Sequence, residues 1–212
     1  MPTPLCGLLS VFVLSAVGLA SAQGVQPTAN DPNDFYYYDG QPIHLDRSLT
    51  ECVVSFADGA GKEKLALIQG LYSSARLGSE IVSGGRTFHV VTIPASDGSD
   101  GAVQLLARLR SEPAVAFVAP VFYHPITRSR MLPTGEIIVK LKPGRTRREL
   151  DETADAAGLT VVRPMAGTRD EYVLRVNPGA GESLEASRAL YDTGRFQWAE
   201  PNFIQQYQRY VP

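Results

Sequence analysis

The chain has 212 residues, 44% of them hydrophobic, and 20 Lys and Arg stand against 22 Asp and Glu. That length and composition admit one or two domains with real cores and exclude a chain too polar to collapse. A formal net charge of −2 argues against nucleic acid as a general ligand.

Residues 1–22 read as a secretory signal peptide, because Leu5 to Ala20 is apolar and uncharged and Ala20-Ser21-Ala22 supplies a small-x-small cleavage pattern. The apolar run is shorter than the roughly 20 residues a membrane span needs, so the expected product is exported, secreted or held in the periplasm or cell envelope, without stable membrane association. Cleavage removes Cys6 and leaves Cys52 without a partner for an internal disulfide. Residues 23–33 are polar and proline-containing, and are expected to form a flexible leader. Phe35–Tyr38, Asp39-Gly40 and Gln41–Leu45 then spell a β-hairpin, since Asp-Gly suits a type I′ turn between extended runs.

A first βαββαβ order occupies 34–123 together with that hairpin. Glu51–Phe56 alternates as a strand, Leu65, Ile68, Leu71 or Tyr72, and Ala75 form a helical stripe, and Gly84-Gly85 joins two short strands. Val103, Leu106 and Leu109 mark a second helix, and Ala114–Tyr123 a last strand. Pro125, Pro133 and the two arginines between them place an inter-repeat linker at 124–134, in which Arg128-Ser129-Arg130 is a potential site of proteolytic nicking.

The second order, at 135–204, is the more regular. Ile137, Val139 and Leu141 alternate with Ile138, Lys140 and Lys142. Thr146 followed by Glu149 is a capping box opening a helix whose inner face is Leu150, Ala154 and Ala157, with Gly158 as its left-handed cap. Strands are expected at Leu159–Met165 and Glu171–Val176. Ser183 is the expected cap of a second helix facing inward through Leu184, Ser187 and Leu190 or Tyr191, and a final strand follows at Phe196–Glu200. Glu51–Phe56 aligns with the Glu136 strand and Val118-Ala-Pro with Ala199-Glu-Pro at an offset of roughly 81 to 85 residues, so the expected fold is α+β, two tandem ferredoxin-like repeats with antiparallel sheets and both helices on one face. Residues 205–212 are expected to leave as an extended C-terminal tail.

Chemistry-bearing motifs are sparse. His44, His89 and His124 lie far apart, without Cys or Glu at ligand spacing, and Asp97–Gly101 lacks the alternating carboxylates and terminal Glu of a calcium loop, so neither metal nor cofactor is expected. Tyr36-Tyr-Tyr with Gly40, Ile43 and Leu45, the Glu51–Phe56 strand, Glu136–Gly144 and Trp198-Ala-Glu-Pro-Asn202 together resemble the N-terminal prodomain region of subtilisin-like serine proteases, particularly the fervidolysin-like prodomain, over about residues 35–208. The resemblance implies a non-catalytic protein that binds a subtilisin-like serine peptidase, in cis or in trans, as folding assistant or inhibitor. The catalytic segments of that family are not present as motifs: Asp192-Thr-Gly194 sits at a predicted helix end, and none of the histidines stands in a His-Gly-Thr-His context. On that reading the tail docks as an added strand, and Phe203, Tyr207 and Tyr210 are the expected partner-binding side chains. Two other readings are a prodomain fragment of a longer subtilase whose catalytic domain lies beyond Pro212, and a ferredoxin-like interaction or ligand-binding module of another kind.

Overall fold

The computed structural model describes residues 28–57, 63–178 and 181–207, with the side chains of 97–100 left aside. The expected signal peptide, residues 23–27 of the leader, and Tyr210 lie outside these residues. The chain folds as an α+β protein with mostly antiparallel sheet. In order come β1 (Thr28–Ala29), β2 (Phe35–Tyr38), β3 (Gln41–His44), β4 (Asp46–Phe56), α1 (Glu63–Leu71), β5 (Arg76–Leu77), β6 (Ile81–Ser83), β7 (Arg86–Thr92), α2 (Gly98–Arg110) and β8 (Val115–Tyr123). They are followed by β9 (Arg130–Leu141), α3 (Arg147–Ala156), β10 (Leu159–Pro164), β11 (Glu171–Val176), α4 (Ser183–Asp192) and β12 (Phe196–Gln206).

Hydrogen bonding orders the first sheet β8-β4-β7-β5 and the second β12-β9-β11-β10, and the pairing of β8 with β9 joins them into one continuous sheet in place of the two separate sheets expected. In each, the first strand is central and the last lies beside it, the antiparallel order of a ferredoxin-like sandwich. Period-two alternation decides which side chains meet the helices. Ile137, Val139 and Leu141 pack with Leu150 and Ala154 of α3, Leu190 of α4, Leu174 and Phe196. Cys52 and Val54 pack likewise with Ile68 of α1 and with Ala102, Leu105, Leu106 and Leu109 of α2. Burial, and next the neighbouring Glu51 charge, push the Cys52 thiol up to about 12, so this sulfur behaves as a small apolar group.

Several boundaries differ from the sequence reading. Leu65 and Val103 are exposed, because α1 and α2 are rotated so that Ile68 and the Ala102, Leu105, Leu106, Leu109 stripe face inward. The helical stripe ends at Leu71, and Ala75 is buried from the connection to β5. The N-cap of α4 is Glu182 rather than Ser183, and it makes no side-chain capping bond; its carboxylate instead meets Arg110 at 2.7 Å and Arg47 at 3.8 Å. Thr28 and Ala29, expected in a polar leader, pair with Ser48 and Arg47.

The largest difference is at the expected linker, which contributes residues 130–134 to β9. Arg130 and Met131 pair with Tyr123 and Phe122 on one side, and residues 130–133 pair with Phe203–Gln206 of β12 on the other. Pro133 is tolerated because pairing with β8 has ended by that point. Gly135 then takes φ +74, and a Cβ there would lie 2.6 Å from the Phe117 ring, so only glycine allows both the backbone turn and the close approach. The Arg128-Ser129-Arg130 segment is correspondingly held: Arg128 pairs with Asp46, Ser129 is buried, and Arg130 reaches Glu51. A nick at this point would need local unfolding.

The helix-free face of the first sheet is also closed. Val53, Phe88, Val90, Val121 and Tyr123 pack with Leu132 of β9 and Ile204 of β12. The hairpin β2–β3 adds Tyr36 to a further cluster with Leu45, Phe122, Met131 and Leu184. Its turn residues Asp39 and Gly40 have φ of 48 and 73, as a type I′ turn requires. Inside this junction the Glu51 carboxylate, 2% exposed, accepts a hydrogen bond of 2.6 Å from the Tyr123 hydroxyl and pairs with Arg130.

Two predictions follow from these contacts. Arg130→Ala leaves Glu51 charged and buried, and is expected to cost about 3 kcal/mol in urea unfolding; adding Glu51→Gln recovers part of it, and an unchanged midpoint for the single variant would show that the pair is idle. The Glu149 carboxylate is held down to about 2, from its ordinary 4.5, by the Thr146 backbone N–H, then by the Arg145 and Thr146 side chains. A depressed carboxylate stabilises the fold above its unfolded value and loses that contribution as pH falls toward 2. Melting curves of the parent and Glu149→Gln should therefore differ at pH 7 and converge between about pH 4.5 and 2; a pH-independent difference would mean the charge is not involved.

Candidate partner interface

Because Ile137, Val139 and Leu141 turn toward the helices, Glu136, Ile138 and Lys140 face the opposite side of the second sheet. Register places Ile138 between Val173 and Glu200, and Lys140 between Glu171 and Trp198. Val173 is buried, and Ile138 and Trp198 are half-buried. Ion pairs bank this apolar strip: Lys140 to Glu171 at 2.9 Å and Arg175 to Glu136 at 3.0 Å, with Asn202 donating to Glu136 at 3.2 Å. Burial pushes the Glu200 carboxyl up from its ordinary range. The charges that border this face are thus mostly paired.

The expected binding side chains fall in unlike environments. Phe203 is half-buried, 5.6 Å between ring centroids from Tyr36, and packs on the junction cluster. It lies within the fold because β12 continues to Gln206, six residues past the expected end at Glu200; pairing with the start of β9 holds residues 203–206 in the sheet. Tyr207 is 70% exposed, and its hydroxyl donates to Gln205 Oε1 at 2.5 Å. Tyr210 lies outside the described residues. Tyr207 and Gln205 border a cleft of about 220 Å³ completed by Tyr36, Tyr38, Ile43, His124, Thr127 and Ser129. Sequence reading passes over Tyr38 and His124 as part of this surface, because the hairpin and the β8–β9 turn come together only in the folded chain.

The remaining titratable groups serve the fold. His89 is buried, with Nδ1 3.1 Å from the Gly78 carbonyl oxygen and Nε2 3.9 Å from Glu80. His124 Nδ1 accepts from the backbone N–H groups of Ile126 and Thr127, fixing the β8–β9 turn, and His44 lies against Phe35. Asp192-Thr-Gly194 closes α4: the Thr193 hydroxyl donates to Leu190 O at 2.6 Å, and Gly194 has φ +69. Among the described residues there is no group of three His, Cys, Asp or Glu able to hold a metal ion, and no helix is long and apolar enough to cross a membrane.

No family model matches the chain, and no curated protein does. Among solved structures, the small subunit of acetolactate synthase from Thermotoga maritima overlaps 76% of this chain and 97% of that one, at 12% identity and a TM-score of 0.26. At that score the overlap defines neither a shared fold nor a shared function.

The two aromatic residues should part experimentally. Phe203→Ala is expected to lower stability by about 1–3 kcal/mol, since its ring is half-buried, whereas Tyr207→Ala should stay within about 0.5 kcal/mol of the parent. Thermal or urea unfolding decides; equal effects would show that Phe203 does not support the junction.

Proposed function

We propose that the chain is a secreted, prodomain-like protein that binds a subtilisin-like serine peptidase, assisting its folding, inhibiting it, or both. On this reading its two βαββαβ halves are copies of one fold. The observation that carries the repeat is a correspondence of register. In the first half Cys52, Val53 and Val54 stand opposite Pro120, Ala119 and Val118. In the second, Ile137, Ile138 and Val139 stand opposite Pro201, Glu200 and Ala199. The residue before each triplet is a buried glutamate met by an arginine, Glu51 by Arg130 and Glu136 by Arg175. The shared placement of first strand, last strand, proline and buried acid supports the repeat.

The peptidase reading rests on the residues that resemble the subtilase prodomain region, most of which lie in β2, β3, β4, β9 and β12. The outer face of the second sheet supplies area, and on this reading the residues that follow β12 add to the peptidase as a strand. Tyr207, and Tyr210 beyond it, are the proposed anchors, while Phe203 acts by holding β12 in place. The protein needs no metal or cofactor for this role.

Purified protein is expected to inhibit, or to speed the refolding of, at least one secreted subtilase encoded near it. Removing 205–212 should weaken inhibition by about tenfold to a thousandfold, equivalent to about 1.4 to 4 kcal/mol. Neither inhibition nor faster refolding across those neighbouring peptidases would sink the proposal.

A further inference from the structure

The outer face of the second sheet carries a charge pattern that matches itself. Cross-strand neighbours point to the same side of a sheet, so the register assembles rows that run across its strands. The central row is Arg163 on β10, Val173 on β11, Ile138 on β9 and Glu200 on β12. A cation stands at one end, an anion at the other, and two apolar side chains lie between them. On one side of this row Glu171 of β11 stands opposite Lys140 of β9, and on the other side Arg175 of β11 stands opposite Glu136 of β9. From β11 to β9 the sign therefore runs minus to plus in one flanking row and plus to minus in the other.

The flanking pairs are closed within the chain, at 2.9 Å and 3.0 Å. The ends of the central row are not: among the described residues neither Arg163 nor Glu200 has an ion partner. A strand spacing of about 4.8 Å holds the two about 14 Å apart, too far to pair with each other. Arg163 is exposed and Glu200 half-buried. Burial alone raises the Glu200 carboxyl, and no neighbouring cation offsets it. Beyond Gly135 the face is closed, because Leu132 and Ile204 pack on the first sheet. The open part spans Glu136 to Lys140, with Ile138 and Trp198 half-buried on it.

We infer that two copies of the chain pack together on this face, sheet on sheet, about a twofold axis parallel to the strands and midway between β9 and β11. That rotation lays β10 over β12 and β11 over β9 of the second copy. Arg163 then meets Glu200 at both ends of the central row, Val173 meets Ile138, Glu171 meets Lys140, and Arg175 meets Glu136. Every charge faces its opposite, and apolar faces apolar. A twofold axis perpendicular to the strands would instead set Arg163 on Arg163 and Glu200 on Glu200. Sheets packed face to face lie about 10 Å apart, a gap that an arginine and a glutamate side chain span together. A pairing of like copies requires the charges to reverse sign about the middle of the sheet, and binding to an unlike partner does not. The open footprint, four strands by the five residues from Glu136 to Lys140, is about 300 Å², which places the dimer at the weak end of specific interfaces. Self-association needs no peptidase, and only its consequence rests on the function proposed above: the second copy covers the sheet face assigned to the peptidase, so the dimer cannot engage a peptidase there.

Sedimentation velocity of the purified chain at low ionic strength, between about 10 µM and 500 µM, tests the pairing. A monomer–dimer equilibrium with a Kd on the order of 100 µM is expected. Arg163→Glu and Glu200→Arg each set like charges against each other at both ends of the central row, and either alone should weaken the dimer about tenfold or more. Mixed in equal amounts, the two variants should form a heterodimer about as tight as the parent dimer, because each supplies the sign that the other lacks. Arg148→Glu, an equal change of net charge at an exposed position on α3, should leave association within about threefold of the parent. Circular dichroism matching the parent confirms that the variants are folded; if Glu200→Arg does not fold, Arg163→Glu judged against Arg148→Glu decides. A parent that stays monomeric throughout, single reversals that leave the dimer unchanged, a mixture no tighter than its components, or equal weakening by Arg148→Glu would overturn the inference. A monomeric parent that inhibits a subtilase removes this inference and leaves the function proposed above intact. A dimer that has no effect on any neighbouring peptidase does the reverse.

Discussion

A single buried carboxylate ties the two halves of the molecule together. Glu51 belongs to the central strand of the first sheet, yet its partners are Tyr123 at the end of β8 and Arg130 at the start of β9. Removing a carboxylate from water costs several kcal/mol unless it is paired and hydrogen-bonded, so the fold of the first half presupposes that β9 is in place. The arrangement is reciprocal. Arg130 also donates to Gln206 at 3.1 Å, and the same cation thereby fixes the end of β12.

Around that point the halves exchange apolar cover. Units of about 70 residues bury too small a fraction of their surface to be comfortable alone, and the helix-free face of the first sheet would otherwise expose Val53, Phe88, Val90 and Val121. Leu132 and Ile204 close it. Polar contacts follow the same seam: Arg86 donates to the Thr134 carbonyl at 2.7 Å while lying over Phe88 and Phe117, and Glu182 joins α4 to Arg110 of α2. Strand β9 serves both sheets because Gly135 re-aims it between its pairing with β8 and its pairing with β11.

The hairpin β2–β3 manages the free side of β12. Tyr36 packs on Phe203, Tyr37 stacks on Tyr191, and Arg188 donates to the carbonyls of Asn33 and Phe35. An uncovered edge strand is a template for unwanted pairing, and these contacts narrow that exposure to the stretch near Tyr207. The opposite edge, β10, carries a register shift between Val161 and Arg163 and ends at Pro164, which blunts it in another way.

What the sequence determined by itself was local and periodic. The capping box at Thr146 and Glu149, the alternation of β9, the Asp39-Gly40 turn and the inward face of α4 depend on neighbours within a few residues, and each stands where patterning placed it. The α+β class follows from the order of those elements. Only the tertiary structure decided how far β9 and β12 extend, because Pro133 reads as a breaker until pairing with Phe203 supplies its setting. It likewise decided that Leu65 and Val103 face solvent, since an apolar residue on a short helix has no address until the sheet beneath is assembled. The cleft was beyond reach for the same reason: Tyr38, His124 and Tyr207 are far apart along the chain, and what joins them is the packing together of hairpin, turn and terminal strand.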